Sequence, residues 1–307
     1  MMSEGLTHNL GLTGFQAEEL EDLFAELEAS RPFELPKELE PAEALGSLER
    51  PKSSGRVKEA ELWQLGRHRL LCGDSLRGGN LARLCAGREV PLVLTDPPYG
   101  IDYESRLTRP ETRKAPIAND GSAEFDSFLQ QALPLIRAAM APGATLYWFA
   151  GGGGAKPALA QALFAISRHL DLQNCLVWDK ETPGLGWRWR RSWEAIIEAS
   201  RPGKPPAWYG GSHRRNLLRF LKLIPQAEDH PTPKPIGLLA ELIRVSSRSG
   251  EVVLDPFAGS GSTLIAAQLA GRSCYAAELE PGYCELILER WESLTGQQAN
   301  REASNEQ

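Results

Sequence analysis

The segment Thr95-Asp96-Pro97-Pro98-Tyr99-Gly100 directly follows the apolar run Pro91–Thr95. Its two prolines fix the backbone, so the Asp96 carboxylate and the Pro97 carbonyl stand rigidly at a strand end. Both groups accept hydrogen bonds, and Tyr99 adds a flat aromatic face. This set suits an exocyclic amine on a heteroaromatic ring, whose nitrogen lone pair is delocalised into the ring. Two acceptors on its N–H groups favour a more tetrahedral nitrogen. They also take up positive charge as the nitrogen attacks an electrophile such as a methyl sulfonium. An aromatic face can stack a base that has left its duplex. A Pro-Pro turn with an incidental tyrosine is the plain alternative.

A second cluster lies in Val252-Val-Leu-Asp255-Pro-Phe257-Ala-Gly259-Ser-Gly261-Ser-Thr263. An apolar strand ends at Asp255. Gly259 and Gly261 then allow a tight turn and close approach of a ligand to the backbone. Ser262 and Thr263 are placed to cap the following helix. Phe257 is suited to wall a pocket. A second strand ends at Glu278, 23 residues after Asp255, where a carboxylate can accept hydrogen bonds from a ribose. A nicotinamide-type turn carries a third glycine; here Leu264 stands in its place. That glycine packs a helix over a pyrophosphate, which S-adenosylmethionine lacks.

The elements that must position these residues read as alternating strands and helices from about Trp63. Strands are predicted over His68–Gly73, Pro91–Thr95, Thr145–Phe149, Cys175–Trp178, Ala195–Ala199, Val252–Leu254 and Ser273–Leu279. Helices are predicted over Phe125–Ala141 (kinked or divided at Pro134), Ile236–Val245, Thr263–Ala270 and Tyr283–Leu294. Such alternation implies a mostly parallel sheet covered on both faces, with ligands beyond the carboxyl ends of its strands.

Net charge is -6 over 307 residues, which argues against a polyanionic partner until its distribution is considered. Residues 1–55 hold twelve acidic and four basic side chains, so the rest of the chain carries a small positive excess. Within it, residues 183–225 hold nine Arg or Lys against Glu194 and Glu198. Trp187, Trp189, Trp193, Trp208 and Tyr209 are interleaved with them. Basic and aromatic side chains together suit phosphate contact and base stacking. The candidate DNA-binding residues are Arg188, Trp189, Arg190, Arg191, Trp193, Arg214 and Arg215. The loop Asp102–Asp120, basic at Arg106, Arg109, Arg113 and Lys114, is expected to order over DNA or cofactor, or to be a plain loop.

The acidic N-terminal segment reads as a tail and linker punctuated by four prolines. It carries a short amphipathic helix, Ala17–Leu27, with Leu20, Leu23, Phe24 and Leu27 on one face. A solvated tail is the first expectation for it, and an intramolecular or partner-binding arm the second. The five cysteines form no C-x-x-C pair, so neither a metal site nor a disulfide framework is expected. No apolar run approaches the roughly 20 residues of a membrane span, and no leader pattern opens the chain. Cytoplasmic residence without a membrane partner is the expectation.

Residues 60–295 resemble the β group of DNA amino-methyltransferases, in which a D-P-P-Y catalytic motif precedes an F-x-G-x-G cofactor motif. Here Asp96–Tyr99 precedes Phe257–Gly261 in that order. Leu71-Cys-Gly-Asp74-Ser75 is similar to the family's upstream G-D motif. His230-Pro-Thr232-Pro-Lys234-Pro235 is similar to its H-x-T-x-K-P segment, and Glu278–Tyr283 to its E-x-x-x-x-Y stretch. Phage and prophage members are the nearest in style. The resemblance implies a Rossmann-like fold with permuted motif order and S-adenosylmethionine as cofactor. It implies Asp96, Pro97, Pro98 and Tyr99 as the catalytic tetrapeptide. The implied cofactor-binding set is Asp74, Thr232, Lys234, Pro235, Asp255, Phe257, Gly259, Gly261 and Glu278.

It further implies double-stranded DNA as substrate and, since dimers are common in the group, a homodimer. Asp in the first catalytic position points to adenine N6, and Ser would point to cytosine N4; cytosine N4 and a catalytically silent DNA-binding module are the alternatives. The implied organisation is a tail over 1–55 and a methyltransferase domain over 56–307. That domain comprises a catalytic half (60–180), a DNA-recognition insertion (about 181–229) and a cofactor half (230–295). One departure stands out. Many relatives carry a His-Glu pair after the W-x-K strand, and here Arg191-Ser-Trp193-Glu194 has Trp in place of that His.

Overall fold

A computed structural model describes residues 16–31, 33, 53–97, 122–151, 158–184, 188–221 and 233–302. Helix α1 spans Ala17–Ser30. A β-hairpin follows, β1 (Leu62–Leu65) and β2 (His68–Cys72), then α2 (Asn80–Leu84) and β3 (Val90–Thr95). Next come α3 (Ser122–Ala139), β4 (Met140–Ala150), α4 (Ala158–Ser167), β5 (Asp171–Asp179), β6 (Trp193–Ser200) and β7 (Leu217–Arg219). The last elements are α5 (Ile236–Ser246), β8 (Val252–Asp255), α6 (Ser262–Leu269), β9 (Ser273–Glu278), α7 (Pro281–Thr295) and β10 (Asn300–Arg301).

Among the described residues the strands form one sheet in the order β10-β1-β2-β9-β8-β3-β4-β6-β5-β7. The centre, β2 through β4, is parallel. β1 and β10 add an antiparallel edge on one side, while β6 joins antiparallel to both β4 and β5 on the other. Alternation along β3 sends Leu92 and Leu94 into the apolar layer that holds α5, α6 and α7, and Val93 into the layer of α2, α3 and α4. Both faces are therefore covered, as the near-continuous apolar strands require.

Chain order reverses between β3 and β8. The connection after β3 leads outward through β4, and the one after β8 leads the other way through β9. Crevices at such switch points, beyond the strands' carboxyl ends, are where ligands bind. The register aligns those ends: Val93 pairs with Leu254, Asp255 with Ala276, and Cys72 with Glu278.

Three expectations change. Helix α3 runs unbroken through Pro134. Its inward face buries Phe125, Phe128, Leu129, Ala132, Leu133 and Ile136. At roughly 1.5–3 kcal/mol per large apolar side chain, this exceeds the ~3 kcal/mol an interior proline costs. Helix α6 is capped by Gly261 in a left-handed conformation, not by a serine or threonine side chain. Helix α1 is a docked arm. Glu28 pairs with Arg272 at 2.5 Å and Arg244 at 3.6 Å, and Asp22 with Arg248 at 2.5 Å. This pairing turns Ala25 and Ala29 inward and leaves Leu23, Phe24 and Leu27 half exposed, so the face sequence periodicity marked as apolar is not the buried one.

Candidate active site

Asp96 follows the last residue of β3, and the turn after β8 lies beside it. The Thr95 hydroxyl donates to Asp255 Oδ1 at 2.8 Å, and the Phe257 N–H donates to the same oxygen at 3.2 Å. Asp255 is 2% exposed. Burial pushes its carboxyl up to about 6 against the opposing hydrogen bonds from Thr263 and Thr95. Its carboxylate thus binds the two central strand ends together from beneath the turn. That is a supporting position, whereas the sequence placed Asp255 among residues touching the cofactor.

The glycine turn itself is open above. Gly259 has φ +53°, and a Cβ there would meet nothing within 4 Å. Gly261 has φ +80°, and a Cβ would fall 2.6 Å from Ile287 Cγ1, so only glycine lets α7 pack this close. Arg290 on α7 donates to the Ser260 carbonyl at 2.5 Å, holding the turn from its far side. No local motif marks that arginine in the sequence.

Glu278, at the end of β9, faces the same turn. Its carboxylate accepts the Gly259 N–H at 2.8 Å and the Glu280 N–H at 2.9 Å. Burial raises its pKa to about 7, and Glu280 and Asp255 add repulsion against these two bonds. The Gly73 N–H donates to the Glu278 carbonyl at 2.8 Å, which brings the G-D segment alongside. Asp74 is tied locally, its side chain accepting the Leu76 N–H at 2.9 Å. Phe257 is partly buried, its ring 5.2 Å from that of Phe128. An open backbone turn with a half-buried carboxylate beside it fits a ribose-bearing ligand that carries no pyrophosphate.

Lys234 takes a different place from the one its motif implied. Its ammonium lies on Asp96 Oδ2 and 3.5 Å from Glu194 Oε2, over the ring of Phe149 at 5.1 Å. Burial alone would lower its pKa, but Asp96 and Glu194 outweigh that and raise it. Pro235 is buried at the N-cap of α5 and sets the entry of this segment. Glu194, the second residue of β6, was not singled out as a site residue; only the departure at Trp193 marked its neighbourhood.

The basic segment divides in two. The connection between β5 and β6 is pinned by Lys180 N–H to the Ser192 carbonyl and Gly184 N–H to the Arg191 carbonyl, both 2.7 Å. Arg190 Nε adds a bond to the Gly184 carbonyl at 2.8 Å. On it Arg188, Arg190 and Arg191 are exposed, and Trp189 is 97% exposed. Trp193 starts β6 and is 38% exposed. Arg214 instead turns inward to Glu241 and the Ala29 carbonyl, fastening α5 and α1, while Arg215 is exposed. Arg201 is likewise engaged, on Glu89 at 2.7 Å. Pro98, Tyr99, the 102–120 loop, Gly152–Gly154, Trp187, His230 and Thr232 lie outside the described residues.

With this geometry in hand, comparison with known proteins is decisive. The sequence profile of N6/N4-type DNA methylases matches residues 90–289. The chain belongs to the DNA methylase family. Type II methyltransferase M2.MboI of Moraxella bovis is 26% identical over 227 residues, 67% of this chain and 82% of its own. YubD of Escherichia coli (strain K12), assigned as a methylase, is 29% identical over 222 residues, 70% and 86% of the two chains. The DNA modification methylase TTHA0409 of Thermus thermophilus, solved with S-adenosyl-L-methionine, superposes with TM-score 0.54 at 25% identity, covering 74% of this chain and 93% of its own. The cytosine-N4-specific PvuII methyltransferase shares the fold, with TM-score 0.55 at 16% identity and coverage of 76% and 95%. This DNA methylase is an α/β enzyme with a Rossmann-like, mostly parallel sheet, and S-adenosylmethionine is its methyl donor. No helix among its described residues is long and apolar enough to cross a membrane.

Proposed function

We propose that this methylase transfers the methyl group to adenine N6 of a base turned out of duplex DNA. The observation that carries the reading is Asp96. A carboxylate, not a hydroxyl, stands at the end of β3 beside the cofactor turn, with its charge maintained by Lys234. The bound cofactor supplies an electrophilic methyl on a sulfonium. Asp96 and the Pro97 carbonyl accept the N–H groups of the target amine and hold its lone pair toward that methyl. As the nitrogen becomes cationic, the carboxylate stabilises the charge and favours loss of its proton. Tyr99 stacks the extruded ring. Glu278 and the Gly259–Gly261 turn hold the cofactor, with Asp74, Phe257, Thr232 and Pro235 framing its pocket. Asp255 is the brace beneath it.

Arg188 and Arg191, with Arg215, contact phosphates, while Trp189 stacks on a base at the pinned β5–β6 connection. An indole so fully exposed on a braced turn between arginines is poorly explained by packing. The direct test is nucleoside mass spectrometry of unmethylated duplex DNA incubated with the protein and S-adenosylmethionine. N6-methyladenine is expected; N4-methylcytosine would overturn the choice of base.

A further inference from the structure

Four charged side chains from separate parts of the chain form one line into the site. Lys180 follows β5, Glu194 lies on β6, Lys234 precedes α5, and Asp96 follows β3. Lys180 Nζ lies 2.5 Å from Glu194 Oε1, Glu194 Oε2 3.5 Å from Lys234 Nζ, and Lys234 Nζ on Asp96 Oδ2. The first three side chains are 14%, 17% and 9% exposed, and the last 35%. Strand register puts Glu194 opposite Trp178, whose ring lies 5.1 Å from the Lys180 ammonium; Phe149 lies at the same distance from that of Lys234. The line alternates in sign, and its two cations balance its two anions.

Burial of Glu194 away from the cofactor turn needs a reason, because a buried charge costs more than an apolar residue in its place unless it is well paired. We infer that Glu194 is a positioning residue for methyl transfer: it draws the Lys234 ammonium to one place, which in turn sets the orientation of the Asp96 carboxylate toward the target amine. Lys180 neutralises the outer oxygen, so Asp96 meets a cation and not a net negative neighbour. The same two residues close the base of the β5–β6 connection, where the Lys180 N–H bonds the Ser192 carbonyl. The element proposed to touch DNA is thereby built on the support of the catalytic carboxylate.

The inference rests on Asp96 acting on the amine but not on which base carries it. Three variants in one assay separate the two. Single-turnover transfer is measured for Glu194→Gln, Lys180→Met and Asp96→Asn, with cofactor and DNA dissociation constants determined for each. Glu194→Gln is expected to slow transfer roughly ten- to hundred-fold while both dissociation constants stay within about threefold. Lys180→Met is expected to slow it less, and Glu194→Asp to restore part of the loss. The double variant should lose less than the product of the single effects, since both act on one carboxylate. Transfer at the wild-type rate by Glu194→Gln would overturn the inference. So would a loss of cofactor binding equal to the loss of rate, because that marks a packing role. If Glu194→Gln does not fold, Lys180→Met decides on the same readouts, and a wild-type rate in it overturns the inference. Should Asp96→Asn keep the wild-type rate, the catalytic reading itself fails; should only Asp96→Asn lose activity, this inference alone fails.

Discussion

The Glu278 carboxylate ties cofactor affinity to pH. Burial raises its pKa to about 7 in the cofactor-free protein, so it is ionised above neutrality and protonated below. Ribose hydroxyls donate most strongly to the ionised form, since charge-assisted hydrogen bonds are the stronger ones. The sign follows: affinity is full above pH 7 and falls as pH drops through it. With a pKa of about 7, the competent fraction is about one-eleventh at pH 6 and about ten-elevenths at pH 8, so the apparent Kd changes by up to about tenfold. That corresponds to about 1.4 kcal/mol. Isothermal titration calorimetry with S-adenosylmethionine from pH 6 to 8 measures it directly. The cofactor's own amino group titrates near this window, at about 7.7–8.0 for a typical α-amine, so the control is Glu278→Gln. That variant should bind more weakly at pH 8 and lose the Glu278 part of the slope. A wild-type Kd constant within twofold, or an unchanged slope in Glu278→Gln, would refute the reasoning.

Asp96→Ala should reduce methyl transfer by about a thousandfold or more while leaving the cofactor Kd within about threefold; single-turnover kinetics and calorimetry together check this. Gly261→Ala places a methyl 2.6 Å from Ile287 in a left-handed backbone, and should cost roughly 2–4 kcal/mol. Its Tm should fall by about 4–16 °C in a melt of the cofactor-free protein. Gly259→Ala, with open space around its Cβ, should cost only about 1 kcal/mol yet weaken cofactor binding, because that space is where the ligand approaches. Trp189→Ala should weaken DNA binding by roughly 1–3 kcal/mol in a fluorescence titration and leave cofactor binding unchanged.

The fold class was legible because it rests on short-range signals. Apolar runs ending in Asp96, Asp255 and Glu278 marked the three strand ends that meet at the switch point, and a glycine pair marked the turn between two of them. Such motifs are contiguous, so their chemistry can be read before folding. Sequence also separated this turn from a nicotinamide-type one through the residue at Leu264. Charge was only half legible. The basic excess over 183–225 was real, but which arginines remain available depended on partners far away in the chain. Arg214 is fastened to Glu241 and the Ala29 carbonyl, whereas Trp189 and its flanking arginines stay outside.

The N-terminal helix shows the same division. Periodicity located α1, but three arginines on and near α5 and α6 chose which face it turns inward. Lys234 carried a motif that pointed to the cofactor pocket. Tertiary structure put its ammonium between Asp96 and Glu194, 138 residues away in one direction and 40 in the other. Composition cannot register a contact of that kind. Its energy depends on distance and burial, and both are set only when β3, β5, β6 and the segment before α5 come together.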